Sequence, residues 1–152
     1  MTATTPFLQQ AEKLGPLASR YVEVESLPWK PTPCPGIDMK VLLEDPETGL
    51  LTALFRWQPG SELALHEHVD IEQTFVLEGS LVDKEGPAQG IECKAGEFIW
   101  REAGSRHVAW SPQGGLMLAN FQVPNKFFEA DGRVIDANGQ DWDESWGHTR
   151  KT

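Results

Sequence analysis

Residues Gly60 to Gly79 read GSELALHEHVDIEQTFVLEG, and three residues with metal-binding side chains, His66, His68 and Glu72, fall within seven positions of one another. Side chains on a strand alternate between its two faces, so His66 and His68 are predicted to point the same way. A turn at residues 69–70 would fold the chain back and bring Glu72 towards the two histidines. Two imidazoles and one carboxylate on facing strands can hold a divalent metal ion and leave coordination positions open.

A fourth candidate ligand, His107, ends the segment GEFIWREAGSRH of residues 96–107, which is predicted to form a strand, a glycine turn and the start of another strand. In the first stretch, the spacing of the glycines, the His-x-His pair and the glutamate matches every fixed position of the first cupin motif. The second segment matches the second cupin motif at both glycines and the histidine. Glu102 replaces the usual proline and Ser111 the usual asparagine.

The chain therefore resembles the cupins. This resemblance implies an all-β fold, the double-stranded β-helix or jelly-roll barrel, and one divalent metal ion per subunit held by His66, His68, Glu72 and His107. A metal-free cupin, in which a histidine acts as general base, is the alternative interpretation of the same residues.

Short apolar runs separated by glycine and proline turns recur along the middle of the chain, a pattern typical of a β-sandwich or barrel. Strands are predicted at residues 37–43, 50–57, 63–68, 71–77, 80–83, 91–94, 97–101, 107–110 and 116–123. Further on, Asp131-Gly132 lies between two apolar pairs and predicts a hairpin turn.

A chain of 152 residues is predicted to form one domain with three parts. Residues 1–36 form an N-terminal arm with a short helix within residues 5–20, a short strand at residues 21–24 and a proline-rich segment. That segment is expected along the outside of the domain or against the sheet edge of a partner subunit. Residues 37–136 form the cupin barrel. Residues 137–152 form a polar tail whose Trp142 and Trp146 could dock on the domain.

Composition excludes several function classes. The net charge of −10 disfavours binding to nucleic acid or to an anionic membrane surface. No apolar run approaches the roughly 18 residues needed to span a bilayer. The first ten residues lack the pattern of a secretory signal, and two cysteines form no disulfide framework, so we expect a cytoplasmic protein with reduced thiols.

The predicted ligands suit Fe(II), Mn(II), Ni(II) or Zn(II), and the ligand set alone does not choose among them. One carboxylate would leave a net charge of about +1, which favours an anionic bidentate ligand such as an enolate or a catecholate. A redox-active metal would allow reaction with dioxygen, whereas zinc would only polarise a carbonyl or activate water.

The chain resembles most closely the small single-domain cupins of the acetylacetone dioxygenase and ChrR-like group, in the stretches 45–55 and 59–68 and in the tail residues 124–125 and 131–135. This resemblance implies an Fe(II)-dependent dioxygenase that cleaves a carbon–carbon bond in a small enolisable, diketone-like or aromatic substrate, and a homodimer. The resemblance also implies that the diketone-cleaving enzymes have a three-histidine site. This chain departs from that pattern because it has Glu72 at the spacing of a fourth ligand. The alternatives are a non-catalytic ChrR-like module that binds a metal or a small molecule, and a metal-dependent isomerase or lyase.

Aromatic and polar residues on the predicted strands are candidates for the pocket wall or for orienting a ligand. They are Phe55, Trp57, Gln73, Trp100 and Arg101. Strand parity predicts that Thr74 and Val76 share the face of Glu72, whereas Phe75 lies on the other face.

Overall fold

Short apolar runs between glycine and proline turns predict the strands, and the structure, a computed structural model that describes residues 3–7 and 17–149, has β-strand at each of those places. The strands are β1 Lys30–Pro31, β2 Ile37–Asp45, β3 Leu50–Trp57, β4 Glu62–Glu67, β5 Glu72–Glu85, β6 Glu92–Lys94, β7 Phe98–Arg101, β8 Arg106–Trp110, β9 Gly115–Phe121, β10 Lys126–Phe128 and β11 Val134–Ile135. One helix, α1 Trp142–Trp146, and 3-10 turns at Val24–Ser26 and Gly147–Thr149 complete the described elements. The predicted all-β class is confirmed.

The strands form one curled antiparallel sheet in the order β1-β2-β3-β9-β5-β8-β4-β10-β11, and β6 and β7 pair with β5. The long strand β5 joins the two halves of this sheet. Its first part pairs with β9 and β7, and its second part pairs with β6 and β8. The two halves enclose a buried interior, as in a jelly roll.

A β-bulge between Val76 and Glu78 lets β5 pass from one half of the sheet to the other. Gly79, just after the bulge, has φ of +71°, and a Cβ at this position would overlap the carbonyl oxygen of Gly114. Only glycine fits this close approach of two backbones. Because a bulge inserts one residue, it also changes which residues of β5 face the interior.

The apolar core and the candidate site lie at different ends of the same strands. Trp57, Val76 and Met117 belong to the buried core cluster. On β9, Met117 lies four positions from Phe121, which pairs with Glu72. The core therefore fills one end of the barrel and leaves the other end to the polar residues of the site.

The N-terminal arm differs in part from the prediction. The predicted helix falls mainly on residues 8–16, which lie outside the described residues, and the flanking residues 3–7 and 17–20 form no helix. The predicted strand at residues 21–24 is wrong, because a 3-10 turn begins at Val24. The proline-rich segment pairs Lys30 with Met39 and so covers the edge of its own sheet. Pro31 is tolerated there because an edge strand has no neighbour on its outer side that needs a backbone N–H donor.

The C-terminal segment packs against the barrel. The predicted hairpin is confirmed by the pairing of Phe127 with Ile135. Trp142 is fully buried, and its Nε1 donates to the carbonyl oxygen of Pro124 at 2.9 Å. Trp146 Nε1 donates to Asp136 Oδ2 at 3.0 Å. Both indoles therefore hold the tail against the domain. None of the described helices is long and apolar enough to cross a membrane.

Candidate metal centre

Three buried histidines meet where β4 and β8 pair. His66 on β4 lies opposite His107 on β8, and His68 follows directly after the end of β4. The backbone N–H of His68 donates to the carbonyl oxygen of Ser105 at 2.9 Å, which fixes the chain at this point. The side chains are 1%, 4% and 0% exposed for His66, His107 and His68. One nitrogen of each ring lies within 4.8 Å of the other two, and within the described ranges these residues form the group that could hold a metal ion.

An oxygen atom lies within 2.8 Å of Nδ1 of each ring; the contacts of His66 and His107 have hydrogen-bond geometry, whereas that of His68 does not. Nδ1 of His66 lies 2.7 Å from the carbonyl oxygen of Ala64. Nδ1 of His68 lies 2.8 Å from Glu72 Oε2. Nδ1 of His107 lies 2.8 Å from Asp83 Oδ1. Carbonyl and carboxylate oxygens only accept, so they favour the tautomer that carries its proton on Nδ1 and a lone pair on Nε2.

The Nε2 atoms of His68 and His107 lie only 2.8 Å apart. Without a metal ion, one ring can carry its proton on Nε2 and donate to the other. With both protons on Nδ1, the two lone pairs would repel each other unless both nitrogens bound the same cation. Backing of histidine ligands by carboxylates or carbonyls is also the usual arrangement at metal sites. The residues present therefore fit a divalent metal ion.

Burial favours the neutral form of two of the imidazoles, His66 and His107. Burial lowers the pKa of His66 to about 3, and the neighbouring His107 and His68 contribute to the shift. Burial likewise lowers the pKa of His107, although its contact with Asp83 opposes the shift. Neutral imidazole is the form that binds metals, so no proton has to be displaced from these two rings near neutral pH.

Two buried carboxylates and one guanidinium surround the histidines. Burial alone would raise the pKa of Glu72, but its contact with His68 and the charge of Arg101 outweigh burial and hold the pKa below its usual value. Thr74 Oγ1 donates to Glu72 Oε1 at 2.7 Å, and Arg101 Nη1 lies 3.4 Å from the same oxygen. Arg101 Nη2 donates to Asp83 at 2.9 Å. Burial would raise the pKa of Asp83, but His107 and Arg101 together lower it.

Glu72, the fourth predicted ligand, does not belong to the group of histidine nitrogens that lie within 4.8 Å of one another. Its Oε2 contacts Nδ1 of His68, on the edge of the ring away from Nε2, and its Oε1 is bonded to Thr74. The structure therefore places this carboxylate on the Nδ1 side of His68.

The predicted pocket residues divide into two groups. Phe55, Trp57 and Arg101 line the barrel interior next to the histidines. Gln73 and Trp100 do not, because they pair with each other on the outer face of the sheet, where Trp100 is 54% exposed. Gln73 is one position from inward-facing Glu72, and Trp100 is one position from inward-facing Arg101. Because side chains alternate along a strand, both face outward.

Asp83 is a site residue that sequence reasoning missed. Parity counted from Glu72 places even-numbered residues of β5 inside, and Thr74 and Val76 are buried as expected. The bulge after Val76 reverses the count, so Leu81 lines the interior and Asp83 reaches His107. An acidic residue directly after the apolar pair Leu81-Val82 was the available signal.

Two cavities of different size lie in this part of the barrel; histidines line the inner one, whereas no histidine lines the outer one. An inner cavity of about 40 Å³ is lined by His66, His107, Glu72, Thr74, Arg101, Trp57 and apolar core residues. An outer cavity of about 410 Å³ lies between β2, β3 and the C-terminal segment. Phe55, Leu63 and Phe121 line both cavities and therefore separate them. Phe127, in the wall of the outer cavity, stacks on His66 with ring centroids 5.2 Å apart.

Comparisons with known proteins identify the family and the fold. The family model described as the ChrR cupin-like domain matches residues 17–125. The acetylacetone-cleaving enzyme of Acinetobacter johnsonii is 27% identical over 136 residues, which are 86% of this chain and 88% of that protein. The crystal structure of an acetylacetone dioxygenase from Acinetobacter johnsonii superimposes with a TM-score of 0.70 at 25% identity over 93% of this chain and 97% of that one. A candidate acetylacetone dioxygenase from Methylibium petroleiphilum PM1 gives 0.71 at 28% identity over 91% and 99%. The predicted cupin fold and group are confirmed.

Proposed function

The chain belongs to the ChrR cupin-like domain family, and we propose that it is a metal-dependent dioxygenase that cleaves a carbon–carbon bond in a small enolisable, diketone-like or aromatic compound. The observation that carries this proposal is the convergence of three buried imidazoles. An apolar cavity large enough for such a compound lies nearby, and its wall residue Phe127 packs on His66. The relatives that cleave acetylacetone support it.

We propose His66, His68 and His107 as the metal ligands, with Glu72 as an orienting group for His68. When bound, an Fe(II) ion would stabilise the enolate of a substrate and supply the redox chemistry that dioxygen requires, whereas Zn, Ni or Mn would restrict or change it. Three neutral ligands leave more open coordination positions than the four expected from sequence. Ala64, Glu72 and Asp83 hold the three rings in a fixed orientation through their Nδ1 atoms.

The outer cavity supports a neutral substrate. Its walls are largely apolar and include Phe55, Phe121 and Phe127. Its charged lining residues are mainly acidic, Glu44, Asp45, Glu129 and Asp136, with Lys30 the cation among them. A substrate that is already anionic in solution would be repelled by these carboxylates. A neutral diketone would not be repelled, and a divalent metal ion held by the histidines would favour its enolate form.

The direct test is oxygen consumption by the Fe(II)-loaded protein with a panel of β-diketones and catechols. We expect uptake with at least one compound, and none with His107→Ala under the same iron concentration. Lack of uptake with every compound would refute the dioxygenase proposal.

A second candidate function is a non-catalytic module that binds a metal ion or a small effector, which the ChrR cupin-like domain family favours. Tight binding of one compound without its conversion would support this alternative. If the zinc-loaded protein catalyses the rearrangement of a substrate, or an elimination reaction on it, without oxygen uptake, this result would support an isomerase or lyase. Metal analysis of the protein purified without added metal discriminates between iron and zinc chemistry.

We further propose a homodimer located in the cytoplasm. The outer face of β5 and β7 exposes four large apolar side chains, Phe75 at 39%, Leu77 at 41%, Phe98 at 53% and Trp100 at 54%. Together they expose an apolar surface of about 400 Å², judged from the usual size of such side chains. That is about half of the roughly 800 Å² that each partner contributes to a standard interface. A second copy of this chain seated on the face would bury these residues as the core of the interface.

A further inference from the structure

The outer cavity is much larger than a simple diketone requires. A buried water needs about 10–15 Å³ of such space, so a cavity of about 410 Å³ has room for about 30 water-sized atoms. A small diketone such as acetylacetone would fill only about a quarter of that space. Cavities of roughly 300–1,000 Å³ usually hold ligands of drug size. The volume therefore favours a compound that carries one or two ring substituents.

Aromatic side chains line this cavity from two sides. Phe55 and Phe121 come from β3 and β9 of the barrel, and their ring centroids lie 6.0 Å apart. Phe127, Phe128 and Trp146 come from the C-terminal segment. Aromatic side chains pack favourably on other rings in offset-stacked or edge-to-face arrangements. The wall therefore suits a ligand that itself carries an aromatic ring.

Trp146 is held in this wall by a buried carboxylate. Its Nε1 donates to Asp136 Oδ2 at 3.0 Å, and Asp136 is 1% exposed. The other oxygen, Oδ1, accepts from the backbone N–H groups of Asn138 and Gln140 at 2.8 and 3.0 Å. These bonds tie the indole to a loop that is itself fixed, and the half-buried ring lines the cavity.

The acidic residues of the wall leave a neutral ligand as the favoured one. Asp136 is the buried acid among them, and its carboxylate already accepts from three N–H donors. Asp45 Oδ1 accepts from the backbone N–H of Glu47 at 3.0 Å. Glu44 is half-buried and Glu129 is exposed. In the described part of the wall, a cationic group would therefore find no buried carboxylate that lacks donors, and an anion would be repelled.

The outer cavity extends to residues that contact the histidine centre. The carbonyl oxygen of Ala64 lies 2.7 Å from Nδ1 of His66. The ring of Phe127 lies 5.2 Å from the His66 ring, measured between centroids. Both Ala64 and Phe127 line the outer cavity. A ligand bound there would therefore lie against residues that contact a proposed metal ligand.

We propose that the outer cavity binds the ring-bearing part of a neutral ketone or diketone larger than acetylacetone, and that Trp146 is a specificity-determining residue that contacts this ring. The proposal rests on the function proposed above for the reacting end of the substrate. Trp146 lies beyond residues 17–125, which the family model matches. The C-terminal segment therefore contributes to the choice of substrate.

The test is a titration of the ¹⁵N-labelled full-length protein, with and without Zn(II), followed by NMR of the six indole N–H signals. The probes are benzoylacetone, a diketone with one phenyl ring, and acetylacetone. We expect benzoylacetone to bind about 10-fold or more tightly than acetylacetone, because the phenyl ring buries more apolar surface than a methyl group. The Trp146 signal should move with the saturation curve. The signal of Trp110, which does not line the cavity, should stay fixed.

Trp146→Ala removes the proposed contact with the ring. It should weaken benzoylacetone binding about 10-fold and leave acetylacetone binding unchanged. Trp110→Ala is the matched control, because Trp110 is also half-buried but lies outside the cavity wall. This variant should bind both diketones like the wild type.

Three results would each overturn the proposal: no binding of benzoylacetone, a Trp146 signal that stays fixed at saturation, or an unchanged benzoylacetone Kd in folded Trp146→Ala. If Trp146→Ala does not fold, the wild-type titration decides by itself. Binding of benzoylacetone at Trp146 without oxygen uptake by the Fe(II)-loaded protein would support the cavity assignment and remove the dioxygenase. Oxygen uptake with acetylacetone, together with no binding of benzoylacetone, would support the dioxygenase and overturn the cavity assignment.

Discussion

Asp83→Asn tests whether the buried carboxylate on β5 supports both the histidine centre and the fold. Asp83 Oδ1 accepts from Nδ1 of His107 at 2.8 Å and from Nη2 of Arg101 at 2.9 Å. The substitution keeps the shape of the side chain but removes its charge. An amide oxygen in the position of Oδ1 can still accept from His107 and Arg101, but Arg101 loses one of its two anionic partners.

The magnitude follows from burial. The side chains of Arg101 and Asp83 are 7% and 9% exposed. Removal of one member of a buried ion pair costs about 3–5 kcal/mol, and the retained acceptor places this variant near 3 kcal/mol. In a domain of this size each kcal/mol lowers Tm by about 2–4 °C, so we expect a fall of about 6–12 °C for the metal-free protein. Loss of the carboxylate behind His107 should also weaken Zn(II) binding about 10- to 100-fold.

The two effects are measured separately, by urea unfolding of the metal-free protein and by competition for Zn(II) with a chromophoric chelator. Asp38→Asn is the matched control, because Asp38 forms a comparable pair with Arg56 at 3.1 Å, with side chains 36% and 48% exposed. A surface pair contributes about 1 kcal/mol or less. If Asp83→Asn unfolds at the same free energy as Asp38→Asn and binds Zn(II) like the wild type, the role assigned to Asp83 is refuted.

Three further predictions follow from the same structure. Glu72→Gln should weaken Zn(II) binding about 10- to 100-fold without abolishing it, because three imidazoles remain; a loss as complete as that of His66→Ala in the chelator competition would identify Glu72 as a ligand. Removal of the metal with a chelator should lower Tm by about 5–15 °C when the ion had been present at 100–1,000 times its Kd, and His66→Ala should show no such difference in a calorimetric scan. Phe98→Ser combined with Trp100→Ser, on the outer apolar face, should convert the proposed homodimer into a monomer in light scattering without changing the metal content, whereas an unchanged molar mass would exclude this face as the interface.

Local patterns in the sequence predicted the positions of the strands and the clustering of the three histidines. The spacing of His66 and His68 places them in one neighbourhood whatever the rest of the chain does, because alternation along a strand is a property of the backbone. The same rule correctly separated Val76, which is fully buried, from Phe75, which is 39% exposed. Turns are likewise local, and Asp131-Gly132 formed the predicted hairpin.

The rule fails where the backbone departs from regular strand. The bulge after Val76 reverses the parity of β5, so Asp83 could not be assigned to the interior by counting from Glu72. Gln73 and Trp100 were candidates because they are close in sequence to site residues, yet each lies one position away from an inward-facing neighbour and so points outward.

The identities and spacing of the histidines, the all-β pattern and the acidic charge can be read from the chain alone, because they depend on neighbours a few residues apart. The role of each carboxylate cannot be read from the sequence alone. Glu72 has ligand spacing in the sequence, but strand pairing turns its oxygens towards Nδ1 of His68, and Asp83 reaches His107 from 24 residues away. Which atoms face a metal depends on the relative placement of distant strands, and that placement is fixed only when the whole barrel packs.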